Sequence, residues 1–336
     1  MTVDAQASVD RGVARKNYAR LRRALPFLLF IVAFFAIPAA FGKFAMQLAN
    51  IGGLMAMAAM ALTVLTGTAG LLSLGHAAFL GIGAFTAGLL ATLYGWPFPA
   101  TLIAAGAVGL AIGALVSVAT LRTSGLYLAV GTFALQAIVG ILLIDVEVKV
   151  TAATGILMPV PSLFGWVVND LNRWWQVIVV AMFITYLLLN WQVSSHVGRS
   201  WVAARDHSTV AAAMGISLLR ARASVFMLTS FVTSICGAIG GYYFGIVQAA
   251  NYDLHLAIKY ITIVALGGLG SIPGAIAAAY IIMLLPHGLS WVFRVTGVDA
   301  SLAATGSESI ALAIILIAAL LRLPQWVWTR LRVAIQ

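Results

Sequence analysis

Residues 67–93 read GTAGLLSLGHAAFLGIGAFTAGLLATL. From Ala77 onward the run is apolar enough to cross a bilayer as a helix, which needs about 20 such residues. Three glycines, Ser73 and His76 interrupt the sequence just before it. A break of this kind predicts either a plain turn between two spans near one membrane face or a broken helix with exposed backbone. In either case Ser73 and His76 are placed to satisfy freed backbone groups, or to touch a solute.

Sequence of the same grade recurs along nearly the whole chain. Its 336 residues are 62% hydrophobic and 8% charged, with a mean hydropathy of +1.06, whereas a soluble domain is roughly 25% charged. The expected fold is an all-α polytopic membrane protein, with one transmembrane domain over 26–322 between a basic tail (1–25) and a short tail (323–336). Ten spans are expected, near 26–42, 44–66, 76–94, 98–121, 125–144, 175–193, 223–248, 254–267, 273–293 and 307–322. Ten crossings put both termini on one side. With that side inside, inner segments hold 14 Lys/Arg and outer segments five, the asymmetry expected of cytoplasmic loops. The basic run RGVARKNYARLRR (11–23) fits a retained cytoplasmic tail better than a cleaved signal peptide or a nucleic-acid arm. Cys236 is the only cysteine and lies in an apolar run, which predicts a buried free thiol.

Two segments are not spans. The outer loop 145–174 carries two prolines and two tryptophans, Trp166 and Trp174, expected at the membrane interface. The inner loop 194–222 is the longest polar stretch in the body of the chain. Within it Asp206 or Ser208 is placed to cap a helix start, and Gly215 followed by Ile216 has the form of a left-handed stop. Such a short helix is marginal in water and needs something to pack on.

That loop resembles the cytoplasmic segment of the branched-chain amino acid permeases of ATP-binding cassette (ABC) importers, the Liv type. The matching residues are Gly198, Arg199, Ala203, Arg205, Asp206, Ala211, Ala212, Gly215 and Ile216. Three further stretches are similar to the family's motifs in the right order: GLLSLGHAAFLGIGAF, TSGLYLAVGTFALQAIV and IVALGGLGSIPGAIAAA. The resemblance implies a helix that couples to a separate ATPase subunit through Gly198, Arg199, Ala203, Arg205, Asp206, Ala211, Ala212 and Gly215. It also implies a second, similar permease subunit, two ATP-binding subunits and an extracytoplasmic solute-binding protein, in a bacterial inner membrane. The sequence departs from the pattern at Leu71, Phe85, Ser124 and TAATGILMP, where the family often has a Gly-Gly pair. The last departure bears on the identity of the solute.

No G-x-x-x-x-G-K-[ST] phosphate loop occurs, so ATP and Mg are expected on a partner and no cofactor on this chain. No catalytic constellation is present, and the five histidines lack metal-ligand spacing. No acidic residue falls deep within an expected span, and His76 falls near the end of one, which disfavours proton coupling. An ATP-independent carrier or channel stays open on residue chemistry, as do urea, short amides or aromatic acids as cargo. Ser73, His76, Thr132 and Gln136 are the candidates for the translocation path, and Gln136 shares a helix face with Thr132 one turn away. Most other Ser and Thr in the spans are expected to bond helix backbone. Gly70, Gly75, Gly267, Gly268, Gly270, Ser271 and Gly274 are assigned to turns, and the glycine pairs 109/113 and 237/241 to close helix contacts.

Overall fold

The computed structural model describes residues 30–32, 34, 42–120, 126–163, 165–296 and 307–321. The tails 1–25 and 323–336, most of the expected first span and Ser124 lie outside the described residues. Eleven helices of the described chain concern the fold. They are α1 (Lys43–Thr63), α2 (His76–Tyr94), α3 (Phe98–Thr120), α4 (Leu126–Thr151), α5 (Leu171–Ser194), α6 (His196–Asp206), α7 (Ser208–Ala213), α8 (Leu218–Phe244), α9 (Leu254–Gly267), α10 (Ile272–Thr296) and α11 (Ser307–Leu321). A helix stands at nine of the ten expected spans. Seven are long and apolar enough to cross a membrane, whereas α9 and α11, at 14 and 15 residues, fall short of about 20. The chain is a polytopic all-α membrane protein.

Burial separates an inner set of helices from an outer one. α1 is enclosed, with every residue from Gly52 to Thr63 buried. α4, in contrast, exposes Val130, Phe133, Ile138, Ile141 and Leu142, an apolar surface suited to lipid or to another membrane subunit. α8 packs against both α2 and α3 through small residues. A Cβ added at Gly83 or Gly237 would run into the backbone of Ser234 or Leu80, and one at Gly113 would lie 2.8 Å from the Ser230 side chain. Gly109 is likewise closed off by Ser234. The glycine spacing therefore does produce close approach.

Contacts between helix ends alternate along the chain. Gly67, Arg205 and Gly270 meet at one end of the bundle. At the other, β1 (Ile156–Leu157) pairs antiparallel with β4 (Ile246–Val247), beside a hairpin of β2 (Ser162–Leu163) and β3 (Trp166–Val167).

Two local expectations are corrected there, and a third feature gains a conformation. α4 does not stop near 144 but runs to Thr151, its last turns carrying an Asp145–Lys149 ion pair one turn apart. Glu147 on its inner face is therefore buried, and its Oε2 accepts from the Ala249 N–H at 2.7 Å. Trp174 is not interfacial, because α5 starts earlier than the apolar run suggests and turns this ring inward, edge-on to Tyr243. The departure from the family pattern at TAATG has a conformational meaning, since Ala152 and Ala153 both take left-handed backbone, at φ 52° and 65°.

Candidate functional site

The GTAGLLSLGH stretch is a re-entrant element. α1 does not end cleanly but widens into a π turn, Val64–Thr68, a helix distortion found often at functional sites. The chain then reverses and climbs back beside α1 as a non-helical segment, Ala69–Gly75. His76, the first residue of α2, lies level with Ala58: its Nε2 is 3.1 Å from the Ala58 carbonyl oxygen. Ala58 is ten residues before the end of the π turn, so the segment regains about 15 Å at 1.5 Å per residue. Seven residues can do so without being fully extended, since their greatest reach is about 23 Å. α2 consequently starts within the bundle and not at its end. His76 stands at the end of a spanning helix, as expected, but that end lies level with Ala58, so the break is not a plain turn between two span ends. Hydropathy reports that a residue is apolar, not how deep it sits.

The polar contacts of the re-entrant segment are divided among several elements. The Leu74 N–H donates to Thr132 Oγ1 at 3.0 Å. Gly75 is pressed so close to α4 that an added Cβ would lie 2.7 Å from the Thr132 carbonyl oxygen. Thr132 thereby serves the segment backbone, a role foreseen for Ser73 and His76. The His76 ring instead bridges helices. Thr233 gives its hydroxyl proton to the Thr229 carbonyl (2.7 Å), so at 2.8 Å from His76 it acts as acceptor. Nε2–H is thus the donor to both Thr233 and Ala58, which assigns the tautomer. Ser73 is buried and its Oγ has no partner among the described residues. Gln136, one turn beyond Thr132, donates through Nε2 to the Tyr252 carbonyl at 2.7 Å, while its buried Oε1 is likewise unpartnered. Elsewhere the hydroxyls behave as expected, Thr229 and Thr262 bonding their own helices and Ser234 the Phe79 carbonyl on α2.

The glycine-rich turn between α9 and α10 packs against the π turn. Gly67 abuts Leu269 and Gly270 so closely that no Cβ fits. Gly267 and Gly274 approach each other as tightly, Gly268 and Gly270 have positive φ, and Ser271 Oγ caps α10 by accepting from the Gly274 N–H.

The polar loop forms two helices and not the single expected one. α6 lies on the bundle: Trp201 is buried and its Nε1–H donates to Ser224 on α8 at 2.9 Å. Neither Asp206 nor Ser208 caps α7. His207 occupies that position without a side-chain bond, and the Asp206 carboxylate accepts instead from Arg205 Nε at 2.8 Å. This bond, with the charges of Arg205 and His207, holds the Asp206 carboxyl below its usual range. The stop at Gly215 has the expected form. At φ +83° it lets Ile216 N–H reach the Ala211 carbonyl (2.9 Å) and its own N–H the Ala212 carbonyl (3.0 Å), the paired bonds of a Schellman motif.

The eight residues matched to the coupling segment divide between two faces. Ala211 is buried, Gly198 is wedged against the Val193 carbonyl, and Arg205, though part-exposed, reaches the Gly67 carbonyl. Arg199 holds the Ser194 carbonyl at the end of α5, and Ala203 is half-buried. Asp206, Ala212 and Gly215 are exposed. The outermost apolar side chains are two that motif matching passes over, Val210 at 59% and Met214 at 79% exposed. Their i,i+4 spacing opposite Ala211 was the available signal.

Comparison with known proteins addresses the origin of this arrangement. LivM, the high-affinity branched-chain amino acid transport system permease protein of Salmonella typhimurium, is 30% identical over 247 residues, covering 66% of this chain and 58% of its own. Its Escherichia coli counterpart is 28% identical over 284 residues, 76% of this chain and 67% of that one. LivH of E. coli, a permease protein of the same transport system, is 27% identical over 135 residues, 36% of this chain and 42% of its own. The chain thus spans between about 40% and two thirds of these relatives' lengths. No solved structure matches. A family model described as branched-chain amino acid transport system / permease component matches residues 44–323, and the chain belongs to that family.

Proposed function

We propose that the chain is a membrane-spanning permease subunit of an ABC importer for branched-chain or related amino acids, in a bacterial inner membrane. It would work with a second homologous permease subunit, two ATP-binding subunits that carry ATP and Mg, and an extracytoplasmic solute-binding protein. Ten crossings with both termini cytoplasmic complete this reading, and the charge asymmetry supports them.

The α6–α7 knob carries the proposal. It sits at the cytoplasmic end, is stopped sharply at Gly215, and presents Val210 and Met214 outward from a polar loop. Exposed apolar side chains on a short helix are what a protein groove takes up, and Met adapts readily to such a surface. The solute would pass along the re-entrant segment, by Ser73, His76, Thr132 and Gln136. Two buried oxygens without partners there, Ser73 Oγ and Gln136 Oε1, suit a solute that is held weakly and briefly.

In proteoliposomes containing the assembled transporter, Gly215→Arg abolishes ATP-dependent leucine uptake while leaving membrane insertion intact. Uptake that continued with the ATP-binding subunits omitted would replace this reading with an ATP-independent carrier or channel. Binding of leucine, urea and benzoate to the solute-binding protein decides the cargo.

A further inference from the structure

Arg205 stands within the stretch matched to an ATPase-coupling segment, and its part-exposed side chain also reaches the end of a spanning helix. Its Nη1 donates to the Gly67 carbonyl in the π turn of α1, 138 residues away in sequence. That carbonyl belongs to the π turn that closes α1, where the N–H groups that follow, of Ala69 and Leu71, bond back to the Val64 and Leu65 carbonyls and leave the Gly67 carbonyl to another donor. A cation at a helix C-terminus is favoured by the dipole, and Arg205 occupies that position for both α1 and α6.

Two other contacts fix the side chain there. Asp206 holds Nε at 2.8 Å. Gly70, at φ +69°, lies under the aliphatic stem, and an added Cβ would sit 2.6 Å from Arg205 Cγ. On its other side Gly67 is wedged against Leu269 and Gly270, so a push on Gly67 reaches the α9–α10 turn as well. The other hydrogen bonds from α6 side chains to spanning helices lead, among the described residues, to α5 through Arg199 and to α8 through Trp201. Among the side-chain hydrogen bonds of the described residues, that of Arg205 ties the knob to the foot of the re-entrant segment.

We propose that Arg205 is a positioning residue: it transmits movement of the α6–α7 knob to the π turn of α1, and through it to the segment 69–75 that leads to His76. This rests on the ABC reading above. A role in docking predicts loss of the ATP-binding subunits when Arg205 is changed. A role in transmission predicts that they stay and that hydrolysis no longer drives transport.

The test uses the whole transporter in proteoliposomes, with leucine uptake and ATP hydrolysis measured on the same preparation. Arg205→Ala retains the ATP-binding subunits on co-purification, while uptake per ATP falls at least about tenfold, the size expected from one lost charge-assisted hydrogen bond. Arg205→Lys restores part of the ratio, because it keeps the charge and the stem but not the fork. Where Arg205→Ala does not accumulate in membranes, Arg205→Lys alone must show a lowered ratio. Loss of the ATP-binding subunits in either variant, or an unchanged uptake per ATP, overturns the proposal while leaving the ABC reading in place. If the wild-type permease itself retains no ATP-binding subunit, the ABC reading fails, and this inference with it.

Discussion

The bundle interrupts its helices at both ends, in different styles. At the knob end, around Gly67, Gly70 and Gly270, each crowded or left-handed position is a glycine, and the freed carbonyl of Gly67 finds Arg205. At the opposite end, among the described residues, two alanines, Ala152 and Ala153, take left-handed backbone alongside Gly155 and Gly245, and a buried carboxylate, Glu147, takes up the backbone N–H of Ala249. One end is relaxed and tightly interlocked. The other stores strain, because an L side chain in left-handed backbone costs roughly 1–2 kcal/mol.

The largest test of this contrast is Gly67→Val. With no room beside Leu269 and Gly270, it should lose about 3 kcal/mol or more through overpacking, read as a fall in the fraction surviving a heat step in detergent. A stable Gly67→Val protein would break the comparison. Glu147→Ala leaves a buried N–H unmet and should cost about 2 kcal/mol, whereas Glu147→Gln keeps an acceptor and should lose less by the same assay. Equal losses would show that the charge matters and the bond does not. Ala152→Gly and Ala153→Gly should go the other way, each gaining about 1 kcal/mol or less once glycine's unfolded-state entropy is subtracted. A lower melting temperature in both would mean that the opposite end carries no strain. The smallest effect concerns pH. Because the folded Asp206 carboxyl titrates below its usual range, its contribution is present at neutral pH and lost only as pH falls through that lowered value. Asp206→Asn should therefore shift thermal stability near neutral pH and converge with wild type in acid. A difference that instead grew in acid would reverse the sign.

The two ends were also unequally legible in the sequence. Local signals served well: the helix over 254–267 and the stop at Gly215 follow from apolar runs and neighbouring residues, and the structure has both. α4 was read too short because Asp145, Glu147 and Lys149 look like a loop, although two of them pair on the surface and the third turns inward. The re-entrant element shows the deeper limit. Its glycines and Ser73 announced a break, but the depth of His76 depends on Ala58 and Thr233, 18 and 157 residues away. The partner of Arg205 is equally remote. Such contacts become readable only when the backbone is in place.

The glycine contacts of α8 have a kinematic consequence. Where Gly83 and Gly237 bring helices together backbone to backbone, and Gly109 and Gly113 close on Ser234 and Ser230, a slide of even one residue would drive atoms of one helix into the next. α2, α3 and α8 are thereby keyed into a single rigid leaf. Any opening of the bundle must then occur along its margins, where α1 meets this leaf through single hydrogen bonds from His76 and Cys236 to the Ala58 and Leu54 carbonyls. The non-helical segment from Ala69 to Gly75 runs from α1 to that leaf and can serve as its hinge.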